Sequence, residues 1–383
     1  MRARWLALTL LLLPGSASGN VARVESLQRD PLQADETDVY RFPGVLPVYS
    51  DSLWLEFSPS PLDGWAAGAF GRPWSIGAAA HRPVDNDDVS EMLSLYGWRG
   101  QVPEAEPILD LMAGYGTGGH GFGLRFGVAA GFTSSDDSAG GTGEDGSRAL
   151  GFDVVLGYST DIPGYRGDSG LSLTFKQVEL IQNGSTIAES IATPSFLVEH
   201  RSLIGPESGV RFGVDVLFTR REYGATNSVS GRDTTLARYL VRVLAGPHAD
   251  LGANVVLSGG IAFGYEWLGG QEGDIKLSST SGAMVPGLVL SLEAEVVSWL
   301  VARCGAAYDL VLEMDKVRDD TGSTQRETQQ LRHGFSWSVG LGLRWGGLRL
   351  DAMVSPDLLF QGPALVGGGT PGLFAQLSAS VEF

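Results

Sequence analysis

The sequence predicts an all-β protein: a transmembrane, antiparallel up-and-down β-barrel of about sixteen strands, with fourteen as the alternative count. Three observations predict it. Long stretches alternate apolar and polar residues with a period of two, which gives a strand one lipid-facing and one wet face. Aromatic residues of the apolar rows collect at both ends of these stretches, as at the two interfaces of a bilayer. Long and short connections take turns along the chain, as they do when strands run up and down through an outer membrane.

Composition agrees with this class. Hydrophobic residues make up 43% of the 383 residues and 54 are glycine, a chain too apolar for disorder. The formal net charge of −17 argues against nucleic acid as a partner. A single cysteine, Cys304, excludes an internal disulfide.

The chain opens with a leader pattern over residues 1–19. Arg2 and Arg4 precede the apolar run Trp5 to Leu13, followed by Pro14-Gly15 and the small residues Ser16 to Gly19. That order predicts a secretory signal peptide, cleaved after Ser18 or Gly19. The run is too short to anchor the chain, and no later run is long enough for a spanning helix. No cysteine stands directly after the cleavage point, which argues against a lipoprotein. Residues 20–51 show no sustained alternation and predict a plug or periplasmic segment, with Pro43-Gly44 as a turn signal.

The barrel is predicted over residues 52–383. Alternation begins weakly at Leu53, Leu55 and Phe57, and again around Trp65 and Trp74. It sharpens at 119–132, where Phe122, Leu124, Phe126, Val128 and Phe132 share one face. The rhythm recurs at 148–158, 210–218, 239–243, 255–267, 288–296, 300–310, 335–345 and 348–354, with less regular strands near 106–115, 169–180 and 188–202. Counting back from an inner C-terminus, the outer connections are 83–105, 133–147, 222–235, 268–283, 314–332 and 355–371, with a tight Asn183-Gly184 turn. The inner ones are 116–118, 160–168, 203–208, 247–250, 297–299 and 346–347. Phe132, Phe218, Tyr239, Tyr265, Trp267, Phe335 and Trp337 then fall near the outer ends. Phe122, Tyr158, Phe212, Trp345 and Phe383 fall near the inner ends.

The last stretch, residues 372–383, places Leu373, Ala375, Leu377, Ala379, Val381 and Phe383 in one apolar row. A spanning strand closed by a terminal aromatic resembles the C-terminal insertion signal of bacterial outer-membrane β-barrels. The resemblance implies outer-membrane lipid and the barrel-assembly machinery as partners, with Phe383 as the insertion signal.

On the wet face the alternation places Arg125, Asp153, Arg211, Asp215, Arg238, Arg242, Glu266, Glu293, Glu295, Arg303, Asp309, Arg344, Arg349 and Asp351. Inward charges need water or partners, so these are the candidate lumen-lining residues. They fit a pore lining that sets solute preference, or a salt-bridged lumen that only holds the wall. Turn positions place Glu293 opposite Arg303 and Arg344 opposite Arg349, a like-charge pair that Asp351 or a neighbouring strand must offset. Inward Gly123, Gly127, Gly213, Gly260, Gly340 and Gly342 leave room for a plug or a solute path, or let the wall curve. Inward Val155, Leu217, Leu240, Leu244, Val256 and Val289 suit a greasy path or the packing of a plug.

The run Asp35-Glu36-Thr37-Asp38-Val39-Tyr40-Arg41-Phe42-Pro43-Gly44-Val45-Leu46, followed by short early strands, resembles the N-terminal region of fatty-acid-transporter (FadL-type) barrels. Phe42 stands where that family has Asn before the proline. The resemblance implies a lumen plug and uptake of hydrophobic molecules.

Enzyme motifs are refused by context. Gly116-Thr117-Gly118-Gly119-His120-Gly121 matches G-x-G-x-x-G, but an alternating strand follows where the dinucleotide motif needs a helix, which predicts a hairpin turn. Gly167-Asp168-Ser169-Gly170, with His81 and Asp110, has the order of a serine-protease triad at the wrong spacing, with Ser169 near an inner turn. The five histidines form no catalytic motif and no cluster with metal-ligand spacing, so no cofactor is expected. The expected function is passive or facilitated passage of small solutes, hydrophobic ones included. The alternative is a non-transporting structural or docking barrel associated with secretion or surface assembly.

Overall fold

The computed structural model describes residues 21–57, 66–80, 106–135, 145–182, 185–191, 194–206, 208–227, 232–252, 254–272, 275–318, 324–354 and 374–383. The expected leader lies outside these residues, as do Asn183-Gly184 and the whole of the connections 83–105 and 355–371. A short helix, α1 (Val21–Ser26), and two 3-10 turns, Glu36–Tyr40 and Pro43–Val45, precede the sheet. The first strands are short: β1 (Ser52–Phe57), β2 (Ala66–Phe70) and β3 (Trp74–Ala80). Next come β4 (Glu106–Thr117), β5 (His120–Ser135), β6 (Asp145–Ile162), β7 (Tyr165–Gln182), β8 (Ser185–Ile191) and β9 (Pro194–Ile204). Long strands follow: β10 (Gly209–Asn227), β11 (Arg232–Asp250), β12 (Val255–Glu272), β13 (Ile275–Val297), β14 (Leu300–Arg318) and β15 (Thr324–Trp345). The last two are β16 (Leu348–Val354) and β17 (Phe374–Glu382).

All pairings are antiparallel. β8 and β9 both lie between β7 and β10, β8 on their outer halves and β9 on their inner halves, so together they form one interrupted wall strand. Seventeen strands less one therefore make sixteen positions. β1 pairs with β17 from Ser52↔Glu382 to Phe57↔Leu377, which closes the sheet into a barrel. No helix among the described residues is long and apolar enough to cross a membrane; the crossing is made by strands.

The apolar rows point outward. Phe122, Leu124 and Phe126 are 53%, 44% and 42% exposed, while Arg125 between them is 4% exposed. A water-soluble barrel would bury those rows; here they form the lipid-facing belt. Aromatic pairs reinforce its two margins, Phe122 with Tyr158 at 5.1 Å near the inner ends and Tyr239 with Trp267 at 5.6 Å near the outer ends.

The structure corrects several connections. The inner turn expected over 160–168 is the two-residue turn Pro163-Gly164, with β7 starting at Tyr165. The outer connections expected over 222–235, 268–283 and 314–332 are mostly paired strand: β10 runs to Asn227, β12 to Glu272 and β14 to Arg318. The physical reason is that a strand leaving the bilayer has water on both faces. Its ladder of hydrogen bonds continues while its apolar alternation stops.

Candidate functional site

The site is the lumen, and residues 21–51 fold inside it. The segment owes its local shape to short-range hydrogen bonds. Asp35 caps the first 3-10 turn by accepting from the Thr37 N–H at 2.9 Å, and Asp38 returns the contact by accepting from the Asp35 N–H at 2.9 Å. This reciprocal box satisfies backbone donors that a buried turn would otherwise leave open. Pro43 then sets the second turn, so the chain doubles back toward β1.

Two apolar clusters seat the segment. Val39, Tyr40, Phe42, Val45 and Leu46 pack on Trp54, Ala67, Ala69, Ala79 and Met112, where the small side chains of β1–β3 make room. On the other side Leu32 packs on Leu203, Leu244 and Ala262, with Met284 and Val289 beside them. α1 rests against β14–β17 and the second 3-10 turn against β4–β7, so the plug reaches across the lumen.

Close approach is made by backbone against backbone. Gly114, Gly123, Gly157 and Gly170 are cross-strand neighbours in one inward row over β4–β7. The main chain of Arg41 to Gly44 lies in this glycine trough. A Cβ on Gly157 would sit 2.5 Å from the Gly44 nitrogen and 2.6 Å from the Pro43 nitrogen. One step inward, Gly116 and Gly121 extend the trough toward Pro47 and Gly44. These are glycines of the G-x-G-x-x-G run, whose middle pair, Gly118 and Gly119, forms the hairpin turn at φ +56 and +79.

Ion pairs then lock plug to wall in two networks. In the first, Arg23 reaches Asp35 at 2.7 Å within the plug and Glu293 at 2.8 Å on β13. Glu293 also accepts from Arg303 at 2.6 Å, and Arg303 reaches Asp351 at 2.6 Å. Arg349 bridges Asp351 at 2.7 Å and the plug's Glu36 at 3.6 Å. The like-charged neighbours Arg344 and Arg349 are thereby separated in function: Arg344 takes Glu295 at 3.0 Å, and Arg349 turns to Asp351 and the plug. In the second network, Arg201 spans Asp38 of the plug at 2.8 Å and Asp168 at 2.6 Å, while Arg41 pairs with Glu199. Phe42 lies beneath both cations, 5.2 Å from Arg41 and 5.1 Å from Arg201.

Burial, with Glu36 alongside, pushes the Asp35 carboxyl up to about 7 although Arg23 pulls the other way. Burial also opposes ionisation of Glu36 and Asp38. There the cations win: Arg349 and Arg23 hold Glu36 below its ordinary value, and Arg201 and Arg41 do the same for Asp38.

The other charges singled out from the sequence pair within the wall. Arg125 bonds Asp110 at 3.3 Å and also Asp153; Arg211 bonds Asp250 at 2.8 Å; Arg242 bonds Asp215 at 3.3 Å; Arg238 bonds Glu266. Asp309 stands opposite Gly287 and Gly334. Phe383 sits at the inner rim, 6.4 Å from Phe70. Sequence reasoning missed Asp110, Asp168, Glu199 and Arg201, which occupy wet positions on the less regular strands β4, β7 and β9. It also passed over Arg23, and it gave Glu36, Asp38 and Arg41 no wall partners although they stand in the plug-like run 35–46, since a plug has no periodicity; the D-x-x-D spacing of Asp35 and Asp38 marks the capping box alone. Ser169 lies within β7 rather than at a turn. Its hydroxyl meets the His200 Nδ1 at 2.8 Å, while Asp110 is held by Arg125 and His81 lies outside the described residues.

Between plug and wall lies a cavity of about 470 Å³. Arg125, Val155, Ser172 and Leu197 line it, one register row outward of the glycine trough. Glu199, Leu217 and Arg242 complete the wall side, and the plug contributes Val24, Leu27, Arg29, Asp30, Asp35, Thr37 and Asp38 among others. The cavity thus carries charges of both signs, with an apolar patch made by Val24, Leu27, Val155, Leu197 and Leu217.

A closed sixteen-position wall, an outward apolar belt and a folded segment in the lumen define an outer-membrane β-barrel with an internal plug. No protein-family model and no curated protein matches the chain. Among solved structures it is similar to CdiB from Escherichia coli, with 12% identity over 87% of this chain and 62% of that one, TM-score 0.44. It is similar to the alcaligin outer-membrane receptor FauA from Bordetella pertussis, with 5% identity over 79% and 59%, TM-score 0.44. The toluene transporter TodX from Pseudomonas putida matches with 10% identity over 91% and 94%, TM-score 0.39. The chain spans about three-fifths of the length of CdiB and FauA. Values this low leave the likeness at the level of barrel architecture.

Proposed function

We propose that the chain is a plugged channel of a Gram-negative outer membrane, reached after cleavage of the leader and insertion by the barrel-assembly machinery. It admits small, partly hydrophobic solutes from outside. The observation that carries this reading is the cavity of about 470 Å³ between plug and wall, where an apolar patch of Val24, Leu27, Val155, Leu197 and Leu217 lies among arginines and carboxylates. Passage onward requires residues 21–51 to shift. That segment is held by non-covalent contacts concentrated at a few glycines and ion pairs, an arrangement that can release and reseat.

The test compares the full chain with a variant lacking residues 21–50, both refolded and checked by heat-modifiable migration. In planar bilayers the truncated barrel conducts ions steadily, and the full chain conducts in rare events or at a smaller level. Equal conductance of the two folded barrels overturns the gating role of the plug. A folded truncated barrel that stays silent overturns the channel. That silence would support a docking barrel, a reading favoured by the paired stems of β13–β15, which run up to 23 residues and rise beyond the apolar belt.

A further inference from the structure

The outer wall carries a feature that neither plug nor cavity uses. On β6, β7 and β9 the outward positions Tyr158, Ser169 and His200 are direct cross-strand neighbours. Phe122 and Val216 flank them in the same row, so no carboxylate stands level with them on the lipid side. His120 lies diagonally below, at the inner start of β5, and its Nδ1 meets the Tyr158 hydroxyl at 2.9 Å. The Ser169 hydroxyl meets the His200 Nδ1 at 2.8 Å.

Polar groups on a lipid-facing wall are costly in the hydrocarbon and tolerated at the interface. This row is level with the inner aromatic margin, where Phe122 and Tyr158 stack, so it meets head groups of the inner leaflet. With each hydroxyl as donor to Nδ1, one of the two arrangements these contacts allow, the ring proton sits on Nε2, where it can donate to a ligand. Toward the membrane centre the same strands present Leu156, Leu171 and Val198, all exposed and in register, a track for an acyl chain.

We propose that His120, Tyr158, Ser169 and His200 form a binding site for the phosphate of an inner-leaflet phospholipid, whose chains run along Leu156, Leu171 and Val198. Two Nε2 donors above an apolar track recognise an anionic oxygen on a diacyl body. A free phosphate lacks the body, and a diacylglycerol lacks the anion.

Native mass spectrometry of the full chain in detergent, titrated with phosphatidylethanolamine or with diacylglycerol of the same chains, reads the site directly. The wild type retains the phospholipid over the diacylglycerol by roughly fivefold or more, the worth of one net hydrogen bond of about 1 kcal/mol. The triple variant H120F/S169A/H200L, folded by heat-modifiable migration, loses that preference. Should it fail to fold, the single variants H120F and H200L each reduce the preference instead. Equal retention of the two lipids by the wild type overturns the proposal, as does an unchanged preference in the folded variants. Displacement of the lipid by millimolar inorganic phosphate overturns the lipid assignment in favour of a phosphate-only site.

Discussion

Replacing Gly157 with alanine puts a methyl group where the plug backbone now lies. The added Cβ would fall 2.5 Å from the Gly44 nitrogen and 2.6 Å from the Pro43 nitrogen and Cδ, whereas ordinary contact begins at 3.4 Å. The difference, 3.4 less 2.5, asks the plug to retreat by 0.9 Å. Its backbone cannot yield locally, since Phe42, Val45 and Leu46 are fully buried on either side of the contact. Overpacking of this kind costs about 1–3 kcal/mol. That raises the unseated fraction of the plug by roughly five- to a hundredfold, at about 1.4 kcal/mol per tenfold. Trypsin reads the change, because Arg41, paired with Glu199, lies inside the barrel when the plug is seated and is cleavable when it is released, and cleavage follows the open population when reclosing is fast. Conductance in planar bilayers rises in parallel. Gly334→Ala is the control, since nothing lies within 4 Å of the Cβ it would add. If G157A and G334A are cut at Arg41 and conduct at the wild-type rate, the plug is not seated in the glycine trough and the reasoning fails.

Other outcomes follow from the ion pairs and the carboxyl pair. Glu293→Gln removes the negative charge shared by Arg23 and Arg303 and leaves two cations under-compensated, a loss of about 3 kcal/mol when a buried pair is broken. Arg41 cleavage should rise in that variant while the barrel keeps its heat-modifiable migration. Seating should also depend on pH from both sides. The Asp35 carboxyl, raised in the seated plug to about 7 from 3.8, favours seating fully below its free value and loses that effect as pH rises through 7. Glu36 and Asp38, both lowered, favour seating above 4.5 and 3.8 and lose that effect as pH falls below these values. Protection of Arg41 should therefore peak at about pH 4–5, and Asp35→Asn should flatten the alkaline limb alone. A monotonic profile would contradict the opposite shifts of these neighbours.

Much of the wall was legible because the bilayer writes one rule on every strand. The Glu293–Arg303 and Arg344–Arg349 pairings could be read from the turns placed at 297–299 and 346–347, and the register agrees. What escaped lies where that rule lapses. The tops of β10–β15 are wet on both faces, so residues such as Thr280 and Gln329 gave no period although they pair in the ladder. The inner turn at Pro163-Gly164 was overestimated because Arg166 and Asp168 looked like loop, whereas both are inward side chains of β7 near Arg201. The plug is held by partners far away in sequence, such as Arg23 with Glu293, which no local pattern encodes. The glycine run at 116–121 was legible as a turn, but its flanking glycines acquire their use only when Pro43 and Gly44 arrive against them.

The junction at Asp51 joins two events. Its carbonyl accepts from the Phe383 N–H at 2.9 Å, its own N–H donates to Ala69 at 2.8 Å, and its backbone turns at φ +64 from plug into β1. The final strand thus clasps the pivot about which the N-terminal segment would swing. Sealing the cylinder and fixing the hinge of its stopper become a single assembly step. A defect at the seam should therefore be felt first as a loosened stopper, before the cylinder itself comes apart.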